Sequence, residues 1–214
     1  MNQIADIVSP DKVILIAIFL LIGFPVHEFA HAFVAYRLGD ATAKLFGRLT
    51  LNPVAHFDPI GGLMLVVSVL AGGIAFGWAK PTPVNPSNLV DRRNGEVAVS
   101  LAGPASNLIM ATIMALVIRA LVATKVIFDV PEIVQQVLIS FVIYNVALAI
   151  FNLIPVPPLD GSALLYRLIP LRYAWQVRPL LAQYGFFILL AIILFGGRII
   201  SPLITNVARF LVGV

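Results

Sequence analysis

The chain has no cysteine and few charged residues. Of its 214 residues none is Cys, and Asp, Glu, Lys and Arg together make up 11%, whereas an average soluble chain carries about 25% charged residues. The absence of cysteine excludes disulfides, thiolate metal ligands and a cysteine nucleophile. The shortage of charge excludes a water-soluble domain of this length, because too few polar side chains remain to cover its surface. No stretch is polar enough to form an additional soluble module.

Apolar residues make up 60% of the chain, and the mean hydropathy is +1.01. A helix needs roughly 20 apolar residues to cross the hydrocarbon core of a bilayer. Runs of this kind fall at about residues 12 to 37, 97 to 123, 132 to 154 and 180 to 196. They predict an all-α, multi-pass membrane protein that forms a single domain over residues 1 to 214.

Several segments between these runs have a different character. The alternation of Leu45, Leu49 and Leu51 with more polar neighbours predicts a short strand or hairpin after the first span. Residues 61 to 77 carry five glycines, and residues 199 to 214 contain polar residues and a proline, so neither is a clear span. The first apolar run lacks the positive charge that should precede the apolar part of a signal peptide, and we interpret it as a retained helix.

Basic residues orient the predicted spans, because Lys and Arg are concentrated in cytoplasmic loops. The net charge is +4, and the basic residues are scattered between the apolar runs. This distribution favours a role in membrane topology over nucleic-acid binding, and membrane lipid is the expected surrounding. Basic groups follow the first span, precede the second and follow the third. All three groups are cytoplasmic only if residues 61 to 77 return to the side they entered from. We therefore expect a re-entrant or half-buried hairpin there, with a full span as the alternative.

The first span contains the motif His27-Glu28-Phe29-Ala30-His31. Histidines four residues apart lie about 40° apart around a helix, one turn from each other, so both imidazoles can reach one metal ion. Glu28 lies beside them, where it can take a proton from water. Satisfied core histidines are the alternative, but ionisable groups at membrane depth are expensive unless they are paired or functional.

Two histidines leave a tetrahedral zinc site short of one protein ligand, which should be a carboxylate or an imidazole from elsewhere in the fold. Among the seven aspartates, Asp160 is the best placed, at the proline-broken end of the third span. That span runs in the same direction as the first, so Asp160 and the histidines share a depth. A turn that only terminates the helix is the alternative, since Asp-Gly is a common turn pair.

Two motifs together resemble the site-2 protease family of intramembrane zinc metalloproteases, peptidase family M50. They are His27-Glu28-x-x-His31 and Asn152-x-x-Pro155-x-Pro157-x-Leu159-Asp160-Gly161, and Gly103-Pro104-x-x-Asn107 is similar to an intervening element of the family. The resemblance covers about residues 12 to 161, the three-helix catalytic core, with additional C-terminal helices over residues 162 to 214. The chain is most similar to the short prokaryotic subgroup without PDZ or CBS domains.

The resemblance implies zinc held by His27, His31 and Asp160, with Glu28 as general base and Asn152 contacting the substrate or stabilising the transition state. It implies cleavage in or near a transmembrane segment of a membrane protein, at the cytoplasmic side of a prokaryotic plasma membrane. His56 is a further candidate for substrate contact, with hydrogen-bonded scaffolding as the alternative. Asn107 and Asn145 are expected to join helices by hydrogen bonds.

Two other functions fit the same intramembrane residues. A divalent metal transporter needs a polar path that continues beyond the site, which the outer halves of the spans do not offer. A membrane binding protein with a lost active site is disfavoured, because no catalytic position is missing. The sequence does not indicate the oligomeric state.

Overall fold

The computed structural model describes residues 17–70 and 80–213, and within these ranges the chain is helical without a strand. The helices are, in chain order, α1 (Phe24–Arg37), α2 (Thr42–Leu45), α3 (Pro53–His56), α4 (Pro59–Leu70), α5 (Arg92–Ala123), α6 (Glu132–Asn152), α7 (Ser162–Leu168), α8 (Leu171–Phe195) and α9 (Gly197–Val212). A π-helical turn, Phe19–Gly23, leads into α1, next to Pro25, which lacks the N–H that a regular helix requires. Short 3₁₀ turns lie at Pro86–Asn88 and Val126–Asp129.

Three described helices are long and apolar enough to cross a membrane: Arg92–Ala123, Glu132–Asn152 and Arg172–Phe195. They correspond to the last three predicted spans. The first predicted span begins outside the described residues, and its described part is helical from residue 17 to residue 37. Large apolar side chains point outward from the bundle, with Ile109 and Ile113 of α5 each 59% exposed. Such surfaces need lipid around them, and the chain is a membrane protein.

The predicted strand or hairpin over residues 45 to 51 is wrong. Backbone N–H groups there bond locally, with Leu45 N–H donating to the Ala41 carbonyl at 3.0 Å and Arg48 N–H donating to the Ala43 carbonyl at 2.8 Å. Gly47 adopts a positive φ of 68°, a turn conformation that glycine reaches without a steric penalty. Local turn bonds therefore replace strand pairing, and the alternating leucines reflect no buried sheet face.

Helix α5 lies at the centre, in contact with both α1 and α6. Its contact with α6 is built from small and β-branched side chains that are almost fully buried, namely Ala111, Ala115 and Ile118 of α5 with Val142 and Val146 of α6. Small residues allow helix backbones to approach closely, which is how helices associate inside a bilayer. Ala208 of α9 joins the same cluster, so the last described helix packs on the α5–α6 pair.

At residue 80 the chain lies at the same end of the bundle as His56. Lys80 N–H donates to the His56 carbonyl at 2.9 Å, and Val90 N–H donates to the Leu38 carbonyl at 3.0 Å. Residues 80–91, called the strap from here on, thus run alongside α1, from Glu28 to Leu38. The two ends of the excursion over residues 57–79 meet, as expected for a segment that returns to its starting side. Residues 61–70 of the predicted hairpin belong to α4. The rest of that segment, residues 71–77, lies outside the described residues.

Asp40 anchors the strap just beyond α1. Its fully buried carboxylate accepts hydrogen bonds from Asn85 N–H at 2.7 Å and Asn88 Nδ2 at 2.9 Å, and from the N–H and hydroxyl of Thr42. Burial alone would raise the pKa of Asp40, but the bonds from Thr42, Asn88 and Asn85 favour the carboxylate and leave the pKa below its ordinary value.

The contacts make the topology testable. Cysteines introduced singly as Lys44→Cys, Arg92→Cys and Arg172→Cys should all react with an impermeant thiol reagent from one side of the membrane, and Lys125→Cys from the other. Positions 44 and 92 lie before and after residues 57–79, and the two ends of that segment are in contact, so both positions should face the same side. Helix α5 then runs from the strap to the opposite end of the bundle, which puts position 125 on the other side. We expect the first side to be the cytoplasmic one, because Lys and Arg are concentrated in cytoplasmic loops. Labelling of positions 44 and 92 from opposite sides would contradict this arrangement.

Candidate active site

Three potential ligand atoms from distant parts of the chain converge in the bundle. His27 Nε2 and His31 Nε2 lie 3.1 Å apart, and Asp160 Oδ2 lies 3.2 Å from the first and 3.4 Å from the second. Among the described residues, this is the group of His, Asp and Glu side chains whose geometry can hold a metal ion. Both histidines are buried, with exposed fractions of 4% and 7%. The predicted spacing of one helical turn places the two imidazoles side by side.

The triangle of ligand atoms fits a tetrahedral zinc ion. Protein ligands at about 2.0–2.1 Å from a tetrahedral ion lie about 3.3 Å from one another, and the three observed separations of 3.1, 3.2 and 3.4 Å bracket that value. Asp160 Oδ2 is buried and has no hydrogen-bond partner among the described residues. A cation between the three atoms would satisfy it.

A chain of side-chain hydrogen bonds determines which nitrogen of His27 carries its proton. Asn145 Nδ2 donates to the Phe141 carbonyl, which can only accept, so Asn145 Oδ1 is left to accept from Asn107 Nδ2 at 2.9 Å. Asn107 Oδ1 then faces His27 Nδ1 at 2.6 Å. Since that oxygen can only accept, His27 Nδ1 carries the proton, and the lone pair of Nε2 points into the site.

His31 is oriented in the same way by a backbone group. Its Nδ1 lies 2.7 Å from the carbonyl oxygen of Val99, an acceptor, so Nδ1 is the donor and Nε2 again carries the lone pair. When both imidazoles are neutral, three acceptor atoms face one another with no proton between them. This arrangement is repulsive without a cation and is the usual orientation of metal-binding histidines, whose second nitrogen donates to an oxygen.

Gly103 of α5 gives the imidazoles their space. A Cβ atom at this position would lie 2.6 Å from both Cε1 and Nε2 of His27 and would also collide with His31. One residue later, Pro104 is fully buried within α5. The Gly-Pro pair of the predicted intervening element thus lies directly against the candidate metal ligands.

Asp160 is held by two backbone contacts of the turn that ends α6. Gly161 N–H donates to the Asn152 carbonyl at 2.6 Å, which closes the proline-rich loop of residues 153 to 160 onto the helix end. The hydroxyl of Ser100 on α5 donates to the Asp160 carbonyl at 2.6 Å. The loop therefore presents the Asp160 carboxylate to the histidines of α1.

The remaining predicted site residues lie at different places. Glu28, partly buried on α1, accepts hydrogen bonds from Thr82 of the strap. Asn152 ends α6, and its Nδ2 donates to the Leu148 carbonyl at 3.0 Å. The structure does not bring His56 into the ligand cluster. His56 is buried and its Nε2 bonds to the Thr50 carbonyl at 2.8 Å. The substrate-contacting roles of Asn152 and His56 stay predictions.

Comparisons with known proteins agree with the resemblance of the motifs. The family model Peptidase_M50, described as peptidase family M50, matches residues 14–194. The chain belongs to peptidase family M50. It is a metalloprotease of this family, and the predicted family is confirmed.

Two kinds of bacterial relative are similar to this M50 chain. The "Putative zinc metalloprotease YwhC" of Bacillus subtilis is 38% identical over 196 residues, which cover 88% of this chain and 85% of the relative. The "Putative zinc metalloprotease Rip2" of Mycolicibacterium smegmatis is 34% identical over 163 residues, 73% of this chain and 60% of the relative. Rip2 of Mycobacterium tuberculosis H37Rv is 35% identical over 147 residues, 68% and 53% respectively. No solved structure matches the chain.

Three contacts of the site were not predicted. Ser100 and Thr82 are small hydroxyl residues without a motif of their own, and their partners lie 60 and 54 residues away in the chain. Asn107 was expected to join helices by a hydrogen bond, but its bond to His27 was not predicted. A signal for this last contact exists in the sequence, because Asn107 lies four residues from Gly103, one helical turn further along the same face of α5.

The close approach of Gly103 to the histidines generates a prediction. Gly103→Ala should lower zinc affinity by more than about tenfold, because the added methyl group displaces imidazoles whose other nitrogens are already fixed by hydrogen bonds. Gly197→Ala is the matched control, since a Cβ at that helical position meets no atom within 4 Å. Zinc titration of the two purified variants measures the difference. Equal zinc affinity in both variants would be incompatible with the proposed site.

Proposed function

We propose that this metalloprotease uses zinc to hydrolyse a peptide bond in or near a transmembrane segment of a membrane protein. The observation that carries the proposal is the convergence of two imidazole Nε2 atoms and a carboxylate oxygen within 3.4 Å of one another in an apolar helical bundle. His27, His31 and Asp160 would hold the ion. Bound zinc supplies Lewis acidity, which polarises a carbonyl and makes water acidic enough to attack at neutral pH.

Glu28 acts as the general base in this proposal. It follows His27 on the same helix, and it is partly exposed where the two histidines are buried. Its carboxylate takes a proton from the attacking water and passes that proton to the departing amine. Asn152, at the end of α6 beside the Asp160 loop, is proposed to contact the substrate or the developing charge at the scissile bond.

The substrate must unwind before it is cut. A helical substrate hides each scissile carbonyl in a hydrogen bond to the residue four positions further along, so hydrolysis requires a locally extended chain. We propose a substrate with one membrane-spanning helix that is weak near the site, in a prokaryotic plasma membrane. The active site would lie toward the cytoplasmic side, since the ligands are at the end of the bundle that carries the strap and the basic loops.

The packing of the bundle disfavours transport of a divalent metal, the principal alternative. Beyond Asn107 and Asn145, the buried side chains between α5 and α6 are those of Ala111, Ala115, Ile118 and Val142. These side chains offer no ligand to an ion that leaves the site toward the opposite end. A bound metal at this position is therefore better suited to chemistry in place than to passage.

Glu28→Gln tests the base. This variant should lower kcat by about 10²- to 10⁴-fold, the usual contribution of a general base, with zinc still bound, because Glu28 is not one of the three converging ligands. The assay measures cleavage of a panel of reporters, each with one transmembrane helix that contains an Asn-Gly-Pro break. Glu132→Gln, at the other end of the bundle, is the matched control. Native turnover by Glu28→Gln, or no cleavage of any reporter by zinc-loaded native protein, would contradict the proposal.

Asp160→Asn tests the third ligand. A neutral amide is a poorer zinc ligand than a carboxylate and leaves the charge of the ion less compensated. We expect zinc affinity to fall by more than about 100-fold, since loss of an outer-shell partner alone already costs about 10- to 100-fold. Asp129→Asn, an exposed position, serves as the control. Undiminished zinc affinity of purified Asp160→Asn would require a different ligand.

A further inference from the structure

The strap brings a hydrogen-bond donor pair to the proposed base. Thr82 N–H donates to Glu28 Oε2 at 3.0 Å, and the Thr82 hydroxyl lies 2.7 Å from the same oxygen. The hydroxyl also lies 3.1 Å from the Glu28 backbone carbonyl, a longer contact to a second acceptor. Within residues 17–70 and 80–213, both hydrogen bonds to this carboxylate end on Oε2. Oε1 is the oxygen left to accept a proton.

The sequence around Thr82 makes this donor pair rigid. Pro81 and Pro83 flank it, and neither has an N–H, so Thr82 supplies the only backbone donor of the three residues. A residue that precedes proline is kept out of the helical conformation, and residues 80–85 of the strap belong to no helix. The strap is also tied on both sides of Thr82, at Lys80 to His56 and at Asn85 to Asp40.

We infer that Thr82 is a positioning residue for the reaction: it fixes one oxygen of Glu28 and leaves the other aimed at the attacking water. This inference rests on the proposed function, because it gives Glu28 the role of base. A glutamate side chain has several rotatable bonds, and a general base is effective only within hydrogen-bond reach of the proton it takes. Two donors on one oxygen remove most of that freedom before substrate arrives.

The strap also contacts a second carboxylate, that of Asp40. This contact provides a control that separates the positioning of Glu28 from the attachment of the strap to the bundle. Asp40 is tied by the hydroxyl and N–H of Thr42 in the way that Glu28 is tied by Thr82, but Asp40 is fully buried and accepts further bonds from the strap. It has no part in the ligand cluster. Loss of the Thr42 hydroxyl affects attachment alone, which makes Thr42→Val a matched control for Thr82→Val.

The kinetic test compares Thr82→Val, Thr82→Ser and Thr42→Val as zinc-loaded proteins on a reporter that the native protein cuts. Valine keeps the shape and the backbone N–H but removes the hydroxyl, and we expect kcat to fall by about 10- to 100-fold, the scale on which small misplacements of catalytic groups act. KM and zinc content should stay within about twofold of native, because no ligand or substrate contact is lost. Thr82→Ser should restore kcat, and Thr42→Val should leave it unchanged.

A spectroscopic measurement tests the contact without turnover. The infrared difference spectrum between native protein and Glu28→Gln isolates the carboxylate stretching bands of Glu28, and these bands should shift when the same difference is recorded in the Thr82→Val background. They should stay in place in the Thr42→Val background. Native kcat in Thr82→Val would overturn the inference, as would an unshifted band or a Thr82→Ser variant as slow as Thr82→Val.

The two proposals fail in different ways. If Glu28→Gln keeps native turnover, the base assignment is wrong, and the infrared shift still reports whether Thr82 bonds to the carboxylate. If Glu28→Gln is inactive while Thr82→Val has native kcat, the proposed function stands and the positioning role of Thr82 is wrong.

Discussion

The structure depends on the need to satisfy polar groups where no water is available. A buried polar side chain without a partner is costly in an apolar bundle, and here the hydrogen bonds run from the Phe141 carbonyl through Asn145 and Asn107 to His27. This chain joins α6, α5 and α1. The Phe141 carbonyl can only accept, so Asn145 Nδ2 donates to it, and this determines the direction of each following hydrogen bond as far as His27. The bonds that hold the helices together therefore also leave His27 Nε2 facing Asp160.

Close helix packing is the second requirement, and it follows from the first. Hydrogen bonds of 2.6 to 2.9 Å between side chains on three helices require backbones that approach closely. Ala111 and Ala115 allow α5 to approach α6, and Gly103 allows it to approach both imidazoles of α1. Bulkier residues at these positions would separate the helices, and the polar chain would lose its partners before the apolar packing failed.

Local patterns in the sequence predicted that His27, His31 and Asp160 lie together, and contacts between distant segments account for what was missed. The spacing of His27 and His31 and the proline-broken helix end before Asp160 are local, and the structure brings these residues together as expected. The three later spans also follow from the length of apolar runs. The strand over residues 45 to 51 failed because three alternating leucines are too weak a signal against local turn bonds. Thr82 could not be predicted, because a polar, proline-rich segment gives no indication of the helix against which it lies.

The ligands and the base are held by different parts of the chain, and this division has a consequence for access. Helix packing and the Asp160 loop hold the three proposed ligand atoms, whereas the strap holds Glu28. The histidines are buried, while Glu28 is only partly so, so the proposed proton acceptor is more accessible than the two proposed histidine ligands. In the proposed mechanism, an extended substrate would approach from the side of Glu28 and the strap, without separating the helices that hold the proposed metal ligands.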